Sequence, residues 1–61
     1  MPPLIFDAAL HALRGPERRA RILEIKERGY TARQVAVAFG VTQGAIEMAL
    51  TTARREREQR A

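Results

Sequence analysis

The sequence contains no cysteine and no tryptophan, and its aromatic residues are limited to two phenylalanines and one tyrosine. Without cysteine the chain can form neither a disulfide nor a thiolate metal site, which fits a cytoplasmic compartment. No apolar run approaches the ~20 residues that a membrane-spanning helix needs, so we expect no membrane association. With 61 residues, the chain has room for a single domain with a small core.

Residue patterns that support catalysis are also missing. The only histidine, His11, has no second metal ligand or nucleophile near it in the sequence, and we predict a surface or boundary position for it. Glu24 and Glu27 lie one helical turn apart among arginines, which favours solvated ion pairs over an acid–base pair. There is no glycine-rich phosphate loop and no nucleophile motif. We therefore predict no enzymatic activity, no cofactor, no metal and no small-molecule ligand.

Positive charge is the most informative feature of the composition. Eleven lysines and arginines stand against seven acidic residues, which gives a net charge of +4, and ten of those eleven cations are arginine. Arginine pairs bidentately with phosphates and base edges, whereas lysine acts as a point charge. A small, arginine-rich basic domain favours a polyanionic partner. The alternative is an ordinary solvated surface rich in arginine.

The spacing of apolar residues predicts an all-α domain of about four helices in residues 1–61. The first helix is predicted over Leu4–Leu13 and is ended by Gly15. The second is predicted over Glu17–Arg28, between Pro16 and Gly29. The residues expected on the inner faces of these two helices are Phe6, Ala9, Leu10, Leu13, Ala20, Ile22, Leu23 and Ile25.

The segment Thr31–Ala53 predicts two helices joined by one sharp turn. Thr31 and Gln34 have the spacing of a capping box, and Thr42 can cap the second helix. Gly40 stands where the first helix must end in a left-handed conformation. The predicted buried faces consist of Val35, Ala36, Phe39, Ile46, Ala49, Leu50 and Ala53. This spacing is typical of a helix-turn-helix, and residues 54–61 are predicted to follow it as a basic helical tail.

In a helix-turn-helix the second helix lies in the major groove of double-stranded DNA. The residues opposite its apolar face are then the predicted base contacts: Gln43, Gly44, Ala45, Glu47, Met48 and Thr51. Gln43 can make a bidentate pair with adenine. Glu47 can accept a hydrogen bond from the amino group of cytosine, or it can instead hold a neighbouring arginine.

Phosphate contacts are expected from both flanks of the predicted recognition helix. Free N–H groups at the start of the preceding helix and side chains beyond the groove are suited to this role. The predicted phosphate contacts are Thr31, Arg33, Gln34, Thr42, Arg54, Arg55 and Arg57. The role of Arg18, Arg19 and Arg21 depends on how the second helix packs.

The stretch GVTQGAIEMAL, preceded by ARQVAVAF, resembles the turn unit of plasmid repressors of the KorA/TrfB type. The N-terminal FDAALHALRG resembles the segment before that unit, so the likeness covers most of residues 4–53 and is strongest over 35–50. The same core is similar to phage Cro proteins and to the DNA-binding end of site-specific recombinases such as Hin.

The resemblance implies a transcriptional repressor that binds a palindromic operator as a homodimer and blocks promoter access. It carries base contacts over to Gln43, Gly44, Glu47 and Met48, although the KorA pattern has arginine at the position of Gln43. Proteins of this type continue into a dimerisation region, so we expect the helices here, or another partner or domain, to supply dimerisation. Two alternatives stay open: a DNA-binding module of a recombinase or transposase, and a helical protein-interaction module such as an antirepressor.

Overall fold

The computed structural model describes residues 3–60, which fold into helices without any strand. The helices are α1 (Ala8–Ala12), α2 (Gly15–Glu27), α3 (Ala32–Phe39) and α4 (Gln43–Arg60). The predicted all-α class with about four helices is therefore confirmed. The tail predicted over residues 54–61 is helical through Arg60, and Ala61 lies outside the described residues, as do residues 1 and 2.

Helix α1 is shorter than the predicted Leu4–Leu13 segment at its N-terminal end. Asp7 is the N-cap, and its carboxylate accepts a hydrogen bond from the backbone N–H of Ala9 at 2.9 Å. The Asp7 backbone N–H donates across to the carbonyl of Ala38 at 2.9 Å, at the end of α3. Residues 4–7 are non-helical here, and this tertiary hydrogen bond is one reason the apolar periodicity did not extend the helix. Phe6 keeps 54% of its surface exposed, so its predicted inner position is wrong.

The junction between α1 and α2 also differs from the prediction. Helix α1 ends with Leu13 as its C-cap, and Gly15, which was expected to end it, is the first residue of α2. Pro16 occupies the favoured first turn of α2, as predicted. Gly29, with φ of +106°, follows the last turn of α2 as expected. Ala20 is exposed rather than buried, because it lies at the rim of a groove between α2 and α4.

Local capping defines the ends of α3 as the sequence predicted. The Thr31 hydroxyl accepts a hydrogen bond from the Gln34 backbone N–H at 3.2 Å, and the Gln34 side chain accepts one from the Thr31 N–H at 2.8 Å. At the other end Gly40 adopts φ of +66° and ψ of +36°. The N–H of Val41 then bonds to the carbonyl of Ala36, which completes a Schellman motif.

The chain direction changes by 103° between α3 and α4. Helix α4 starts immediately after this turn, with the Thr42 hydroxyl accepting a hydrogen bond from the Ala45 N–H at 3.2 Å. No single helix in residues 3–60 is long and apolar enough to cross a membrane, and only the bent α3–α4 pair satisfies length and composition.

One hydrophobic core lies between α2, α3 and α4. Its largest fully buried side chains are those of Phe39, Ile22, Ile46 and Val35. Ala36 is buried as predicted, and Ala49 is half-buried at the edge of the core. Small residues here allow the backbones of α3 and α4 to approach closely at their steep crossing. Truncating a fully buried residue such as Ile46 to alanine is expected to cost about 2–5 kcal/mol of unfolding free energy.

The second half of α4 is fastened to α2 by two ion pairs. Arg19 donates to both carboxylate oxygens of Glu56 at 2.7 and 2.9 Å. Arg57 donates to both oxygens of Glu27 at 2.6 and 2.9 Å. Bidentate geometry makes such pairs more specific than ordinary surface contacts. They orient the part of α4 that continues past the apolar core.

Candidate nucleic-acid interface

Helix α4 presents two opposite stripes with the same spacing. The stripe that faces the core contains Ile46, Leu50 and Ala53, all with 5% or less of their surface exposed, and it continues to Arg57. On the opposite side, at i, i+4, i+7 and i+11, lies a fully outward set that we call the outer stripe: Gly44, Met48, Thr51 and Arg55. Since these two sets differ by about half a helical turn, the outer stripe faces away from the domain.

The predicted base contacts lie together on and beside the outer stripe. Gln43, Gly44, Glu47, Met48 and Thr51 are exposed, while Ala45 is half-buried at the edge. A shallow, open surface is lined by Thr42, Gly44, Ala45, Glu47, Met48 and Thr51. The structure thus brings the predicted set onto one accessible side of the first turns of α4.

Within residues 3–60, the side chain of Glu47 contacts Gln43 and not a neighbouring arginine. Its carboxylate accepts a hydrogen bond at 3.2 Å from the side-chain amide of Gln43, one turn earlier. Thr51 in turn donates from its hydroxyl to the Glu47 carbonyl at 3.2 Å. Among the described residues Glu47 forms no ion pair with an arginine, so that alternative is not supported. The Gln43 amide is held in a defined orientation on the helix surface.

Most predicted phosphate contacts near the turn are already used in capping. The side chains of Thr31 and Gln34 form the capping box of α3, and the Thr42 hydroxyl caps α4. Arg33 is different, because it is exposed in the first turn of α3 and makes no ion pair with another described side chain. At this flank, Arg33 is the predicted contact whose charge is available to an outside anion.

The three predicted arginines of the tail point in different directions. Arg55 belongs to the outer stripe and is exposed. Arg57 lies on the opposite side, where its guanidinium hydrogen-bonds to Glu27 and holds the pKa of that carboxyl below its ordinary value. The nearby charge of Arg54 lowers the same pKa further. Helical spacing explains this separation, since Arg57 is seven residues after the buried Leu50 and shares its face.

The sequence patterns did not predict a set of contacts, here called the clamp, in which Phe6 and His11 pack against the α3–α4 turn. The His11 ring nitrogen Nδ1 lies 2.8 Å from the Phe39 carbonyl oxygen, and the Phe6 and His11 rings pack with centroids 5.6 Å apart. A Cβ atom at Gly40 would lie 2.6 Å from the Phe6 ring. Together with the Asp7–Ala38 hydrogen bond, these contacts join the N-terminal segment to the end of α3. His11 is exposed, as predicted for a surface or boundary residue.

Two further expectations concern a dimer surface and metals. Leu50 is buried, as predicted for the core face of α4, so it is not available to a dimer surface. The large apolar side chains that the described residues leave exposed are Ile5, Phe6, Val37 and Met48. No group of three His, Asp or Glu residues in residues 3–60 is arranged to hold a metal ion.

No protein-family model, curated protein or solved structure matches the chain. The similarity to KorA/TrfB-type repressors therefore stays a prediction from the residues that carry it.

Proposed function

We propose that this protein is a sequence-specific DNA-binding transcriptional repressor of the helix-turn-helix class. In this proposal α4 is the recognition helix and enters the major groove of double-stranded DNA. The protein binds a palindromic operator as a homodimer, and its presence there blocks promoter access. Two-fold symmetry then requires two half-sites about 34–36 Å apart, or a multiple of that distance.

The observation that carries the proposal is the exposed side of α4 directly after a steep, tightly capped turn. Helices of a helix-turn-helix cross at about 90–120°, and the 103° change of direction here falls in that range. The side of α4 turned away from the core begins with small or unbranched residues at Gly44, Ala45 and Met48. The major groove is about 12 Å wide, so a helix with such side chains can approach base edges closely.

Charge supports the same partner. The net charge is +4, and the acidic residues Glu27 and Glu56 are each held by an arginine of the facing helix. Arg33 and Arg55 are exposed at two ends of the proposed interface, without ion pairs among the described side chains. Lysine and arginine at such flanks neutralise phosphates and release counterions, so affinity should fall steeply with salt.

The base contacts we propose follow from side-chain chemistry. The Gln43 amide can pair with the N6 and N7 positions of adenine, and Glu47 can accept from the amino group of cytosine. Their mutual hydrogen bond in the free protein restricts both side chains before DNA binds. Met48 and the Ala45 methyl group are suited to contact a thymine methyl group. These roles require that α4 lies in the major groove, and they would be lost if it does not.

Selection of bound sequences from random double-stranded DNA, followed by anisotropy titrations, tests the proposal. Gln43→Ala should relax the preference at one base-pair position by about 1–3 kcal/mol, because a bidentate contact is lost. Arg33→Ala should weaken all sequences alike, because a phosphate contact carries no sequence information. Gln59→Ala removes the same amide at the far end of α4 and is the matched control for preference. Equal, sequence-independent losses for Gln43→Ala and Arg33→Ala would contradict the groove assignment.

Exposed apolar side chains favour one second candidate, a helical protein-interaction module. Met48 has 75% of its surface exposed at the centre of the outer stripe, and Ile5 has 76% exposed on the N-terminal segment. Aromatic residues and methionine are enriched in protein interfaces. If no DNA is bound even at low salt, and Met48→Ala abolishes binding to an acidic protein partner, this second candidate replaces the repressor. A promoter-reporter assay separates repression from DNA binding by a recombinase module.

A further inference from the structure

We propose that Arg18 contacts a DNA phosphate, so that the DNA-binding surface extends from α4 onto the start of α2. This inference rests on the proposed function and adds a residue outside the turn unit. The sequence alone left Arg18, Arg19 and Arg21 undecided, because their directions depend on helix packing. The structure separates these three arginines by their surroundings.

A hollow of about 310 Å³ lies between the start of α2 and the outer side of α4. The residues that line it are Gly15, Arg18, Arg19, Ala45, Met48, Ala49 and Thr52. Ala45 and Met48 also line the open surface that carries the proposed base contacts. The hollow therefore borders that surface at Ala45 and Met48, and a duplex that contacts Met48 would bring one of its phosphate strands near the start of α2.

Of the two arginines in this hollow, only Arg18 has its charge available. Arg19 is held by Glu56 in a bidentate pair at 2.7 and 2.9 Å. Arg18 makes no ion pair with any described side chain, yet it is half-buried. A partly desolvated guanidinium without a protein partner favours an outside anion, and its planar shape matches two phosphate oxygens.

Arg21 serves as an internal comparison on the same helix. It lies one turn after Arg18, it is exposed, and its guanidinium is 3.6 Å from Glu24. It does not line the hollow beside α4. A change at Arg21 removes the same charge from the chain without removing a group next to the proposed interface.

The test compares Arg18→Met with Arg21→Met on the operator obtained by selection, at several salt concentrations. Methionine keeps an apolar stem but lacks the charge. If Arg18 binds phosphate, the slope of log affinity against log salt becomes shallower by about 0.9, which is about eightfold in affinity at 0.1 M relative to 1 M salt. Arg21→Met should keep the wild-type slope, and Arg18→Lys should restore most of it. Circular dichroism confirms that each variant is folded.

Three results separate the possible failures. An unchanged slope in Arg18→Met, with a wild-type protein that binds DNA through Gln43, overturns this inference and leaves the proposed function in place. Equal slope changes in the Arg18 and Arg21 variants also overturn it, because they indicate a general charge effect. A wild-type protein that binds no DNA overturns both proposals together.

Discussion

Gly40 joins α3 to α4, and its replacement by alanine tests how the N-terminal segment supports the turn. The residue has φ of +66° and ψ of +36°, a left-handed conformation that side chains disfavour. A new Cβ atom would also lie 2.6 Å from Cε1 of Phe6 and 3.2 Å from Nδ1 of His11. The substitution therefore strains the backbone and disturbs the clamp at the same time.

The expected loss can be worked out from these two contributions. A left-handed conformation costs about 1–2 kcal/mol for a residue with a Cβ atom. The Phe6 ring is half-exposed and can swing away, but a weakened hydrogen bond between His11 and the Phe39 carbonyl costs about 0.5–1.5 kcal/mol more. The sum is about 1.5–3.5 kcal/mol. In a domain of this size, each kcal/mol lowers Tm by about 4–8 °C, so we expect a decrease of about 6–28 °C.

Gly15→Ala is the matched control, because it has the same backbone strain without the contact. Gly15 has φ of +61°, and no atom lies within 4 Å of the position of its Cβ. This variant should lose only the backbone contribution of about 1–2 kcal/mol. Thermal and urea unfolding, followed by circular dichroism at one protein concentration, measure both variants.

Equal losses for Gly40→Ala and Gly15→Ala would refute the clamp, because the Phe6 and His11 contacts would then contribute nothing. A Gly40→Ala protein as stable as the wild type would refute the left-handed turn itself. In that case the left-handed Gly40 would not explain the 103° change of direction between α3 and α4. The proposal that α4 lies in the major groove would then lose its geometric support.

Two further predictions concern α4, the proposed recognition helix, and its ion pair with α2. Gly44→Ala should raise the free energy of unfolding by up to about 1 kcal/mol, because the added Cβ atom lies in open space on a helix. The same change should weaken DNA binding, because it brings a methyl group between α4 and the bases. Unfolding measures the first effect and anisotropy titration the second, and an unchanged DNA affinity would argue against close approach of the bases to Gly44. Since Arg57 lowers the pKa of Glu27 in the folded state, the pair stabilises the protein above the ordinary glutamate pKa of about 4.3, and the contribution is lost as pH falls through the lowered value. The stability difference between the wild type and Glu27→Gln should therefore be present at pH 7 and shrink below pH of about 4, whereas a constant difference would contradict the assigned role of the ion pair.

Local chemistry explains why much of the turn unit was predictable. The Thr31–Gln34 capping box, the left-handed Gly40 and the Thr42 cap each depend on residues within a few positions of one another. The same is true of the exposed base-contact candidates, since helical periodicity alone sets their direction relative to Ile46 and Leu50. The DNA-binding role assigned to them is a separate inference, and it depends on the proposed experiments.

The sequence-based predictions were wrong where the conformation of one segment depends on contacts with a segment that is distant along the chain. Apolar spacing predicted a helix from Leu4, but Asp7 donates to the Ala38 carbonyl and Phe6 packs beside Gly40 instead. The basic composition of the tail led to the prediction that Arg57, like Arg55, contacts phosphate. In the structure the carboxylate of Glu27, thirty residues earlier, holds Arg57 on the side of α4 that faces α2. Neither contact leaves a short-range pattern that the sequence could display.

By itself, then, the sequence determined the helical class, the caps of the turn and the two faces of α4, because these follow from interactions within one or two helical turns. Only the tertiary structure decided which arginines keep their charge available. Arg19 and Arg57 are held by carboxylates of the facing helix, while Arg18 is left beside α4 without such a partner among the described residues. That difference arises from how α2 crosses α4, a relation between segments that are far apart along the chain.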